Sequence, residues 1–131
     1  MSQRKLARVA LRNAGRVLAT SLALAAGMAM AQPVPLSFQA SPDVYKVLAE
    51  GDQFRVIDVS WKPGQRDLTH GHPAAASYFL TDCKLRFFNP DGTQRDANPR
   101  AGHAATQKPI GSHEVQNVGD AECRLVMFEM K

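Results

Sequence analysis

The chain has 131 residues, with 16 Lys plus Arg against 12 Asp plus Glu and a formal net charge of +4, which bounds it to one domain with no room for a second. Five of the cations (Arg4, Lys5, Arg8, Arg12, Arg16) stand in the first sixteen residues, where there is no acid. Taking those five from the 16 leaves 11 cations against 12 acids, interspersed along the rest; phosphate binding needs a clustered basic surface, so nucleic acid is excluded as a partner.

The basic segment runs into an apolar stretch from Val17 to Ala31 that closes on Ala29-Met30-Ala31. This is the order of charged region, hydrophobic region and small-residue cleavage site in a secretory leader. A retained membrane anchor is the rival reading. The apolar run is about fifteen residues, short of the ~20 that span a bilayer, and Thr20, Ser21 and Gly27 dilute it. Residues 1–31 are therefore expected to be a cleaved signal peptide, leaving a periplasmic or secreted protein with no stable membrane anchor. Residues 32–43, with Pro33, Pro35 and Pro42, read as an extended arm.

From residue 44 to 131 the pattern is β. Val44 to Leu48 and Phe54 to Trp61 flank the turn signal Glu50-Gly51-Asp52 and predict a hairpin. The second run alternates, with Arg55, Ile57, Val59 and Trp61 on one face and Asp58 and Ser60 on the other. Further runs are expected at Ser77 to Leu80, Lys84 to Phe88, Ala104 to Gln107, His113 to Val118 and Arg124 to Met130, divided by Pro, Gly, Asn and Asp clusters. Short strands at this turn spacing predict an all-β, single-domain antiparallel barrel or jelly roll.

His70 and His72 occupy i and i+2, so on extended backbone their rings project from one face and can share a metal. His113, on a distant predicted strand, is the natural third ligand, because closing a barrel brings distant strands together. His103 has no spacing partner and is expected at the surface. Glu114 has the opposite parity to His113 and should point away.

The spacing around these histidines resembles the cupin superfamily, whose first motif is G-x5-H-x-H-x3-E-x6-G. Gly64, His70 and His72 match it, while Ala76 and Cys83 stand where the family has Glu and Gly. In the second motif, G-x5-P-x-G-x2-H-x3-N, Gly102, His113 and Asn117 are in register, with Pro109 and Gly111 displaced by one position. More narrowly the chain resembles small, exported bacterial single-domain cupins, a group largely without assigned activities.

The resemblance implies a cupin barrel over residues 44–131 with a metal in its mouth. Because Ala76 cannot ligate, the implied set is His70, His72 and His113, similar to the three-His face of the thiol dioxygenase branch. Three neutral ligands leave a divalent ion's charge uncompensated, which favours an anionic ligand. Imidazole does not name the metal, so Zn, Cu, Ni, Fe or Mn are all candidates. Loading outside the cell favours Zn or Cu over Fe(II).

If His70 and His72 face inward, unbroken parity sends Ala74, Ala76, Tyr78 and Leu80 inward as well. Tyr78 would then put a phenol in the ligand pocket, or fill the barrel. Arg55 is the candidate anion clamp, with a rim position as the alternative. In the cupin topology the turns carrying Cys83 and Cys123 lie at one end of the barrel, so in an exported chain a disulfide is expected, with two buried free thiols as the alternative.

Three functions stay open: a metal or small-molecule binding module whose cavity holds an anion or organic acid; a metal-dependent oxygenase or isomerase; and a non-metal cupin with a structural role. A small-molecule ligand is the expected partner, and a homodimer is the further partner the resemblance suggests.

Overall fold

Alternation along the chain builds two antiparallel sheets in the computed structural model, which describes residues 31–131; the expected leader, residues 1–31, falls almost wholly outside them. After a one-turn helix, α1 (Ser37–Ala40), come β1 (Tyr45–Glu50), β2 (Phe54–Trp61), β3 (His70–His72), β4 (Ala75–Phe79) and β5 (Leu85–Phe88). The chain then continues through β6 (Gln94–Ala97), β7 (Ala104–Gln107), β8 (Ile110–Asn117) and β9 (Cys123–Met130). One sheet has the order β1-β2-β9-β4-β7, the other β3-β8-β5-β6. Two short strands, β3 and β6, were not among the runs read from sequence; β6 is Gln94-Arg95-Asp96-Ala97, which lacks an apolar pattern.

The longest pairing is β2 with β9, unbroken from Phe54↔Met130 to Trp61↔Cys123. Its inward residues Ile57, Val59, Trp61, Cys123, Leu125 and Met127 are all buried and meet Leu85 and Val115 of the opposite sheet. Each such side chain contributes about 1.5–3 kcal/mol on removal from water, and this row is the floor on which the histidines stand.

The arm departs from the expected extended form. Residues 37–40 wind into α1, Ser37 is buried and Phe38 packs on the core. Just before the helix, Leu36 bridges Gly71 in parallel, and the Gly71 N–H donates to the Pro35 carbonyl at 2.9 Å. Residues 32–131 thus form one compact unit.

The parity expectation fails at one step. β3 belongs to the four-stranded sheet and β4 to the five-stranded one, and Pro73-Ala74 carries the chain between them. The register restarts there, so Ala75 and Phe79 are buried whereas Tyr78 is 47% exposed and Leu80 43% exposed. A one-residue slip turns every following side chain to the other face.

Two devices close the end of the barrel. A Cys83–Cys123 disulfide, Cα to Cα 5.0 Å, ties the β4–β5 connection to the start of β9. Asn117 donates through Nδ2 to the carbonyls of Trp61 (3.1 Å) and Ala121 (2.8 Å) and accepts the Gly119 N–H at 3.0 Å, so the Asn of the second motif holds loops. Gly64, at φ +76°, lets its own N–H reach the Asn117 carbonyl at 2.9 Å.

Candidate metal centre

β3 and β8 deliver the three imidazoles. His70 lies directly opposite His113, while His72 pairs with Ile110, so a bulge lies between the two pairings. The strands can come this close because residue 71 has no side chain: a Cβ there would fall 2.8 Å from the Gly111 carbonyl oxygen and 3.1 Å from that of Ile110. All three histidines are buried, and one nitrogen from each lies within 4.8 Å of the others.

Hydrogen bonding fixes the tautomers of two rings. His70 Nδ1–H donates to the Leu68 carbonyl at 2.7 Å, and His72 Nδ1–H donates to Glu129 Oε1 at 2.9 Å. Each ring therefore presents a lone pair at Nε2, and the two Nε2 atoms face each other at 2.9 Å. Two acceptors cannot bond one another, so the arrangement suits a cation or a shared proton between them. His113 adds a buried Nε2 with no hydrogen-bond partner. An ion held at 2.0–2.1 Å by nitrogens needs them roughly 3.0–3.4 Å apart. One pair is already near that spacing, and the donor set fits a divalent transition metal.

A proton is the rival occupant, and burial works against it. Burial is the largest influence on His70 and His113, lowering both; His113 is pushed down to about 3, with the neighbouring His70 and His72 adding to the effect. Neutral imidazole is the form that ligates.

Three residues not singled out from sequence support the rings. Glu129 is fully buried, and its other oxygen, Oε2, accepts from Arg55 NH1 at 3.4 Å. Carboxylate partners of this kind orient a ligating histidine and raise its basicity. Asp67, in the loop before β3, accepts from Tyr45 Oη (2.7 Å), Trp61 Nε1 (3.1 Å) and the Val115 N–H (2.6 Å). With its O–H directed to Asp67, Tyr45 Oη lies 3.3 Å from His70 Nε2. Burial first, and then the Asp67 charge, push the Tyr45 phenol well above its ordinary pKa, which keeps it protonated.

Two pocket expectations are corrected. Tyr78 faces outward, and Tyr45 is the phenol beside the histidines. Arg55 points inward but is no free clamp: it is paired with Glu129 and Glu50 and lies 4.7 Å over the Phe38 ring. A signal for Glu129 was present in β9, where it continues the inward row Cys123, Leu125, Met127 as a lone charge directly opposite Arg55. Asp67 and Tyr45 carried no comparable mark. Glu114 points away from the rings, to Arg66 and Thr69, both at 2.6 Å.

His113 also lines a cavity of about 720 Å³ that opens between the sheets. Its walls include Phe79, Leu85, Phe87 and Ile110, and its basic side chains are Arg95, Arg100 and His103. His103 is exposed, as expected, yet stands on this rim with its ring 6.0 Å from that of Phe79.

Two facing antiparallel sheets in this order, with histidines buried between them, constitute the cupin double-stranded β-helix, and solved structures agree. A cupin domain from Bordetella pertussis Tohama I is similar at TM-score 0.62 and 22% identity, over 67% of this chain and 92% of that one. An RmlC-like cupin protein from Methanocaldococcus jannaschii is similar at TM-score 0.55 and 11% identity, over 66% and 78%. A protein with a double-stranded β-helix domain from Klebsiella pneumoniae is similar at TM-score 0.54 and 21% identity, over 66% and 75%. At these identities the likeness establishes the fold. No protein-family model matches the chain, and no curated protein does.

Proposed function

We propose that this is an exported binding protein of cupin fold that holds a divalent transition metal through His70, His72 and His113 and admits a small molecule at the barrel mouth. The observation that carries the reading is the pair of Nε2 lone pairs facing each other at 2.9 Å beside the unpartnered Nε2 of His113. Leu68 and Glu129 hold two of the rings with that lone pair presented, and burial keeps water from the inner side. A bound ion would supply Lewis-acid polarisation of an oxygen on the molecule in the mouth. Export is supported by the leader-like composition of residues 1–31 and by a disulfide, a bond that persists in oxidising compartments.

Elemental analysis of protein purified without chelator is the test. Up to one transition metal per chain is expected, lost in the His70→Ala, His113→Ala double variant while the β circular dichroism signal stays. Absence of metal in the wild type, before and after soaking in zinc, refutes the reading. The openness of the cavity at His113 favours a second reading, an oxygenase or isomerase; oxygen uptake with a panel of thiols and diketones separates it from pure binding.

A further inference from the structure

The cavity has a one-sided electrostatic character. Among the described residues, no Asp or Glu lines it, while Arg95, Arg100 and His103 do. Arg100 already has a partner, donating to Asp82 at 2.6 Å. Arg95 makes no ion pair among the described residues. Its guanidinium carbon stands 4.3 Å from the centre of the Phe87 ring, and Phe87 in turn lies 6.0 Å from the His113 ring, centre to centre. Arg95 is on β6, opposite Phe87, and so shares the inward-facing side of the sheet. One aromatic ring therefore separates an unmatched cation at the lip from the histidines at the floor. A second unmatched donor, Gln107 Nε2, is buried in the same wall.

We infer that the mouth takes a small carboxylic acid with an apolar body. The carboxylate pairs with Arg95, and the body lies along Phe87 toward His113. This deepens the proposed binding function and depends on that reading only for what the far end of the molecule meets. A planar guanidinium presents paired N–H groups that match a carboxylate, and stacking on a ring holds its plane in place. The apolar walls reward a hydrocarbon body but leave a small hydrophilic anion without partners beyond Arg95 and Gln107. An inward charge on an edge strand also discourages edge-to-edge pairing. That role would show as aggregation of the Arg95 variant with no change in ligand preference.

Isothermal titration calorimetry on the full chain tests this with three probes: 3-phenylpropanoate, its neutral amide and inorganic phosphate. The titrations are run on chelator-stripped protein and on protein loaded with zinc. The carboxylate is expected to bind roughly tenfold more tightly than the amide or phosphate, as one charge-assisted pair provides, and Arg95→Gln is expected to erase the difference. Equal affinity for acid and amide overturns the inference. So does a preference that survives Arg95→Gln, phosphate binding as tight as the acid, or no heat from any probe at millimolar concentration. Zinc stoichiometry, measured separately, reports on the metal reading: an acid preference in a protein that takes up no zinc overturns the metal centre and leaves the carboxylate site standing.

Discussion

His72 and Glu129 lie fifty-seven residues apart and meet through a hydrogen bond of 2.9 Å from Nδ1–H to Oε1, buried between the two sheets. That bond decides which nitrogen of His72 is free. Replacing the carboxylate with an amide, Glu129→Gln, keeps the shape but removes the charge that holds the ring. Zinc affinity measured against a chromophoric chelator is expected to fall 10–100-fold, the usual cost of losing such a partner. An unchanged affinity would show that Glu129 serves only Arg55.

Acid should destabilise the metal-free protein. His113 is held down to about 3 by burial, then by its histidine neighbours, whereas in the unfolded chain it titrates near 6.5. Between those values the unfolded state binds a proton that the folded state does not. Stability is thus complete above the unfolded value and lost as pH falls toward the folded one. One proton is worth about 1.4 kcal/mol per pH unit, and each kcal/mol moves the melting temperature of a domain this size by roughly 4–8 °C. Melting scans at pH 6.5 and below should show at least that slope, and His113→Gln should reduce it, leaving the part contributed by His70.

Gly71→Ala tests the close approach of β3 and β8. Its Cβ would meet backbone oxygens, which cannot swing aside as a side chain can. A loss of about 1–3 kcal/mol is expected, together with weakened zinc binding as His70 and His72 are pushed from His113. Denaturant midpoints and metal content read the two effects on one sample; wild-type values for both would mean that the strands separate at no cost.

The two tyrosines should respond in opposite ways. Tyr45→Phe removes a donor from buried Asp67 and should cost about 1–3 kcal/mol. Tyr78→Phe, on the outer face, should stay within about 0.5 kcal/mol of wild type and leave metal and ligand binding alone. A large effect at Tyr78 would restore it to the pocket.

Reduction of Cys83–Cys123 reopens a loop with a sequence separation of 40. The chain-entropy model values that closure at about 4 kcal/mol, so melting in the presence of dithiothreitol should fall by roughly 15–30 °C. The Cys83→Ser, Cys123→Ser pair should match the reduced protein and be indifferent to the reagent.

Much of this molecule was legible along the chain. Ile57, Val59 and Trp61 alternate because one face of β2 is buried, and a period of two is visible without coordinates. His70 and His72 share a face for the same reason, and the motif glycines Gly64 and Gly102 both take positive φ. Local pattern was enough for the all-β class and most strand positions, since each depends on spacing along a few residues of extended chain; grouping His113 with His70 and His72 needed the motif resemblance and the closing of the two sheets.

What only the tertiary structure decided is which side chains cross the interior to meet. Parity could not be carried from His72 to Tyr78, because Pro73-Ala74 moves the chain from one sheet to the other and the register begins anew. Glu129 reaches His72, Arg55 is neutralised beneath Phe38, and Tyr45 takes the place beside His70 that Tyr78 was expected to fill. Among the described residues, Arg95 is left at the mouth without an ion-pair partner. These outcomes follow from register between strands distant in sequence, set by the packing of two whole faces at once, and no spacing along a single strand records it.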